Sequence, residues 1–136
     1  MTSWQRLLRL RRPAARDAAA ASPRVVDALI TGLRGETSLE QLLARNVRLT
    51  IDSGGAASLP AGVVTGRAPA AEALRDLLGR FAEWQPAPAA VNGSPGIVIA
   101  SRGRVVGVLA MSVRRGHVAQ LWVVVNPDKL AHWPVP

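Results

Sequence analysis

Residues 96–126 read GIVIASRGRVVGVLAMSVRRGHVAQLWVVVN, three apolar segments broken by turns at Arg102-Gly103 and Arg115-Gly116. The segments are Gly96–Ala100, Arg104–Val113 and His117–Val125. Connections this short close antiparallel hairpins, because a parallel return needs a crossover of about a dozen residues. The two longer segments are apolar on both faces. Val105, Leu109 and Met111 alternate with Val106, Val108 and Ala110, and Leu121, Val123 and Val125 alternate with Val118, Trp122 and Val124. One face must meet helices, and the other must line a second buried space or an interface.

The rest of the chain supplies those helices. Ser22-Pro23 is an N-cap followed by proline at the first helical position, and Val25, Val26, Leu29, Ile30 and Leu33 then share a face. Thr37-x-x-Glu40 predicts a capping box for a short second helix carrying Leu39, Leu42 and Leu43. Asn46–Ile51 alternates as a strand, Asp52-Ser53-Gly54-Gly55 turns, and Gly62–Gly66 is a further short strand. Ala68–Trp84 predicts the longest helix, with Leu74, Leu77, Leu78, Phe81 and Trp84 along one stripe and Pro86 and Pro88 ending it. Helices and strands in this order make an α+β domain, one curved sheet with helices packed on a single face. The boundaries read as a tail over 1–21, a packed domain over 22–133 and a short end over 134–136.

Charge is uneven. Of the 17 Lys and Arg, six arginines fall in residues 1–24 against the lone Asp17, leaving a net +3 on the remainder of a chain whose total is +8. Arg6, Arg9, Arg11 and Arg12 surround a face of Trp4, Leu7 and Leu8, a pattern that reads either as a loosely attached tail or as a site for non-specific association with nucleic-acid phosphates or an acidic partner. It holds no helix-turn-helix, so sequence-specific DNA reading is not expected. No cysteine is present, and no apolar run approaches the ~20 residues that cross a bilayer. The basic N-terminus lacks the apolar core of a signal peptide, so the cytoplasm is the default location and no membrane association is expected.

Several strings resemble the nuclear transport factor 2-like cone in its SnoaL-like branch. The likeness is closest to the SnoaL-like domain that follows the sigma regions in a group of extracytoplasmic-function RNA polymerase sigma factors. They are Leu42-Leu43-Ala44-x-x-Val47-x-Leu49-Thr50, Asp52-Ser53-Gly54-Gly55, Val64-x-Gly66, Val91-Asn92-Gly93-x-Pro95-Gly96 and Gly103-Arg104-Val105-Val106-x-Val108. The most specific is Asn126-Pro127-Asp128-Lys129-Leu130. The resemblance implies a curved mixed or antiparallel sheet wrapped around N-terminal helices. It also implies a regulatory module that contacts a sigma factor or RNA polymerase through the loop Asp52, Ser53, Gly54, Gly55 and the string Asn126, Pro127, Asp128, Lys129, Leu130. Trp4–Pro13 resembles the basic end of sigma region 4 and its linker, without sigma region 2 or the rest of region 4. Ser53 departs from the family's glycine and could limit the loop's access to positive φ.

Relatives of this cone also include isomerases, cyclases and hydrolases that work through pocket carboxylates. General acid–base chemistry of that kind needs an acid or histidine within hydrogen-bond reach of substrate. Between Glu83 and Asp128 there is no Asp or Glu, and the chain has no Tyr. Asp52 and His117 are the two catalytic candidates, each with a plainer alternative: Asp52 as a turn former, His117 as a rim or surface residue. Gln120 and Trp122 share a strand face and line a pocket for a small apolar ligand, an interface, or simply a helix. No cofactor is expected. No metal site is expected either, since His117 and His132 sit in different settings with no nearby carboxylate to complete one. The doubly apolar strands predict a homodimer that buries Trp122 against a two-fold mate.

Overall fold

The computed structural model describes residues 19–56, 59–131 and 133–136. The tail arginines Arg6, Arg9, Arg11 and Arg12, together with His132, lie outside the described residues. The strands are β1 (Ala19–Ala20), β2 (Leu43–Asp52), β3 (Gly62–Thr65), β4 (Gln85–Val91), β5 (Ser94–Ser101), β6 (Arg104–Arg114) and β7 (His117–Val124). The helices are α1 (Pro23–Leu33), α2 (Leu39–Leu42), α3 (Arg67–Leu78) and α4 (Pro127–Leu130). The strands form one mixed sheet in the order β3-β2-β7-β6-β5-β4, with β1 paired to β6. Among the described residues only β2 and β7 run parallel; the remaining pairs are antiparallel.

Helix starts follow their capping chemistry. Ser22 Oγ accepts the Val25 N–H at 3.3 Å, and Pro23 fills the first position of α1. The cap of α2 is Ser38, which accepts the Gln41 N–H at 3.4 Å, one residue later than the Thr37 box implies. Helix α3 stops at Gly79, so Phe81 and Trp84 lie beyond it, half-buried against the core. The prolines that end the helical pattern instead belong to β4, where Pro86 faces Ile99 and Pro88 faces Ile97. An edge strand tolerates proline because it need not donate a second ladder of hydrogen bonds.

Rows across the sheet define the core. Ile51, Val123, Leu109 and Ile97 stand opposite one another on successive strands, as do Leu49, Leu121 and Met111. All are buried with Val26, Leu29, Leu74 and Leu77 of the helices. The other face carries a second cluster: Val91, Val98, Val105, Val108, Trp122, Val124 and Leu130. Within the β5–β6–β7 meander strict alternation fails at two places. Register shifts between Ile99 and Ala100 and between Ser112 and Val113 each insert an extra residue, in β6 and β7 respectively. Val105 therefore joins the second cluster while Leu109 is in the first, and Val118 shares the first cluster with Leu121. A bulge reverses side-chain parity in this way. Trp122 is 5% exposed within a single chain.

Candidate functional site

Because β2 and β7 are parallel, both bring their C-terminal ends to the same rim of the sheet. Asp52 closes β2 opposite Val124 and continues the row of Thr50, on the face away from the helices. Its backbone oxygen accepts the Val125 N–H at 2.8 Å. Its carboxylate does two jobs. Oδ1 accepts the Gly54 N–H at 3.0 Å, an Asx turn, and Oδ2 accepts from Lys129 Nζ at 2.7 Å. Gly54 and Gly55 take φ of 65° and 81°, while Ser53 keeps a negative φ. The serine in place of the family's glycine therefore imposes no backbone conflict here. Ser53 is 1% exposed, and its hydroxyl has no hydrogen-bond partner among the described residues.

The tail half is built to match. Asn126 Oδ1 accepts the Asp128 N–H at 3.1 Å and caps α4, whose first residue is Pro127. The single turn points Lys129 at Asp52 and sinks Leu130 into the second cluster. A Cβ on Gly54 would overlap the Asn126 carboxamide, so the glycine lets the loop lie directly on the cap. The loop Asp52–Gly55 and the string Asn126–Leu130, far apart in sequence, are thus one joined surface.

Beside it opens a cavity of about 380 Å³. Its walls include Leu59, Phe81, Val106, Val125, Leu130 and Trp133, with Arg104 its charged lining residue. The sequence places Phe81 on an apolar helix stripe rather than in a cavity wall, and Trp133 carries no periodic signal at all. Asp52 and His117 do not line this cavity. His117 is exposed at the opposite end of the sheet, with Nδ1 3.1 Å from the Arg115 oxygen. Gln120 is half-buried opposite Arg48 and Ser112, and Trp122 borders a crevice of about 30 Å³ with Val91 and Pro95. Among the described residues no three or more His, Cys, Asp or Glu cluster to hold a metal, and no helix is long and apolar enough to cross a membrane.

This architecture is the nuclear transport factor 2-like, SnoaL-like cone, an α+β fold with a curved, unclosed mixed sheet. Its solved neighbours include the extracytoplasmic function sigma factor SigJ of Mycobacterium tuberculosis, at 27% identity and a TM-score of 0.62 over 85% of this chain. The match covers 47% of SigJ, so the chain spans about half that protein's length. A nuclear transport factor 2-like protein from Burkholderia xenovorans matches at 20% identity and a TM-score of 0.54, over 79% of this chain and 91% of its own. A SnoaL-like protein of unknown function from Burkholderia thailandensis matches at 13% and 0.52, over 77% and 97%. The last two carry the fold alone. No protein-family model and no curated protein matches the sequence.

Proposed function

We propose that this chain is a non-catalytic binding module that regulates an extracytoplasmic function sigma factor, using the joined rim of loop and tail as its contact surface. The observation that carries the reading is the Asp52–Lys129 pair, which fuses the two segments beside an apolar cavity. The likeness to SigJ, itself an extracytoplasmic function sigma factor, supports the choice of partner. The cavity suits an apolar side chain of that partner or a small apolar ligand, since Arg104 is its only charged wall among the described residues.

Catalysis finds no support in the same geometry. Acid–base chemistry needs a free carboxylate or imidazole at the substrate. Asp52 is committed to Gly54 and Lys129, and His117 is at the far end of the sheet. Co-purification of the tagged chain with the organism's extracytoplasmic function sigma factors, and separately with core polymerase, tests the proposal. Retention of a sigma factor supports it; a folded sample that retains neither contradicts it.

A further inference from the structure

The end of the sheet opposite the Asp52–Lys129 pair is chemically different. There a second cleft, also of about 380 Å³, is lined by Arg45, Asn46, Arg67, Arg114, Arg115 and His117. Three separate elements converge to make it. The β2–β7 register shifts between Leu43 and Arg48, which pair with Val118 and Gln120, so the intervening residues of β2 leave the ladder and expose Arg45 and Asn46. Arg67 opens α3, whose cap Gly66 contributes no side-chain bond and whose first turn holds no acid. The β6–β7 hairpin supplies Arg114 and Arg115, the latter at φ 53°, a left-handed conformation that side chains with a Cβ adopt at a cost.

No ion pair among the described residues involves any of these four arginines; the carboxylates that do pair, Glu40, Asp76 and Asp52, take Arg75, Arg80 and Lys129. Two of the cleft arginines rest on neutral acceptors. Arg67 Nε donates to the Leu43 oxygen at 2.9 Å, and Arg114 Nη2 donates to Asn46 Oδ1 at 3.3 Å. These bonds orient the guanidinium groups without neutralising them. Like charges gathered around a concavity, beside the positive end of a 12-residue helix, raise the local potential until an anion answers it.

Arginine forks match the paired oxygens of phosphate. The described lining holds no Phe, Tyr or Trp on which successive bases stack; its one aromatic ring is the His117 imidazole and its one apolar side chain is Ala44. A concave site of this size holds a compact ligand rather than tracking a long strand. We propose that this cleft binds a compact polyphosphate, either free pyrophosphate or the di- or triphosphate group of a nucleotide. It is independent of the sigma-factor contact.

Calorimetric titration of the full 136-residue chain with sodium pyrophosphate at low salt tests the site, with a nucleoside triphosphate as a parallel arm to separate the two sources. Two variants accompany it: Arg114→Gln with Arg115→Gln in the cleft, and Arg6, Arg9, Arg11 and Arg12 all to Gln in the tail. Saturable binding with a Kd below about 1 mM is expected in the wild type and the tail variant, and at least about tenfold weaker binding in the cleft variant. If the cleft pair disturbs folding by far-UV circular dichroism, Arg45→Gln with Arg115→Gln, both exposed, replaces it. Absence of saturation overturns the proposal, as does binding lost in the tail variant but kept in the cleft variant. So does tighter, cleft-dependent binding of single-stranded DNA or polyglutamate, which would make this a polymer surface.

Discussion

Lys129 Nζ lies 2.7 Å from Asp52 Oδ2 across 77 residues of sequence, with the two side chains only 21% and 17% exposed. Exposed pairs of this type contribute roughly 0–1 kcal/mol, and partial burial with good geometry places this one above that range. A double-mutant cycle with Asp52→Asn and Lys129→Met, read by urea unfolding, is expected to give a coupling of about 1–2 kcal/mol. A coupling indistinguishable from zero would mean that the rim is held by backbone and packing alone.

Gly54 and Gly55 both have positive φ but differ in surroundings: Gly54 lies on Asn126, and Gly55 has open space. Alanine at either position pays the left-handed backbone cost of about 1–2 kcal/mol. Gly54→Ala must also displace the α4 cap, so it is expected to destabilise by about 1–2 kcal/mol more than Gly55→Ala. Equal losses in chemical denaturation would place the loop off the cap.

Local chemistry made much of this fold legible in advance. Ser22-Pro23 announces α1, and the Asn92-Gly93, Arg102-Gly103 and Arg115-Gly116 pairs, all at positive φ, mark the hairpins. Val47, Leu49 and Ile51 point inward as their alternation says. What escaped were features fixed by distant partners. The bulges that reverse Val105 and Val118 depend on the neighbouring strand's register, and β4 reads as a helix stop until its edge position is known. The segments Asp52–Gly55 and Asn126–Leu130 stand out through resemblance, but their joining is a consequence of parallel β2–β7 pairing. The basic cleft was invisible because Arg45, Arg67 and Arg114 carry no local pattern, whereas the tail arginines do.

Ser53 is a residue the fold would be better without. Its hydroxyl is buried with no hydrogen-bond partner among the described residues. Removing such a group relieves a desolvation cost of about 1–3 kcal/mol, set against the loss of one small side-chain contact. Ser53→Ala is therefore expected to be neutral to stabilising by about 1 kcal/mol, seen as a raised Tm. Clear destabilisation would show that the hydroxyl has a partner.

Glu40 accepts from Arg75 at 2.5 Å, and this hydrogen bond holds its carboxyl below the ordinary glutamate value of 4.5. A lowered folded pKa means that the contribution to stability is present above about pH 4.5 and is lost as the pH falls through the folded value. Arg75→Ala should return the Glu40 titration, followed by carboxyl NMR shifts, to the ordinary range and erase its share of acid sensitivity. An unchanged titration midpoint would contradict the pairing.

The central claim is that the rim joined by Asp52 and Lys129 is a partner surface. Its most direct test is calorimetric titration of the purified chain into an extracytoplasmic function sigma factor from the same organism, alongside Lys129→Glu. The account predicts saturable binding with a micromolar-order Kd, weakened about tenfold or more by the charge reversal while circular dichroism stays native. No heat of binding from a folded wild-type sample, or equal affinity in wild type and Lys129→Glu, would contradict it.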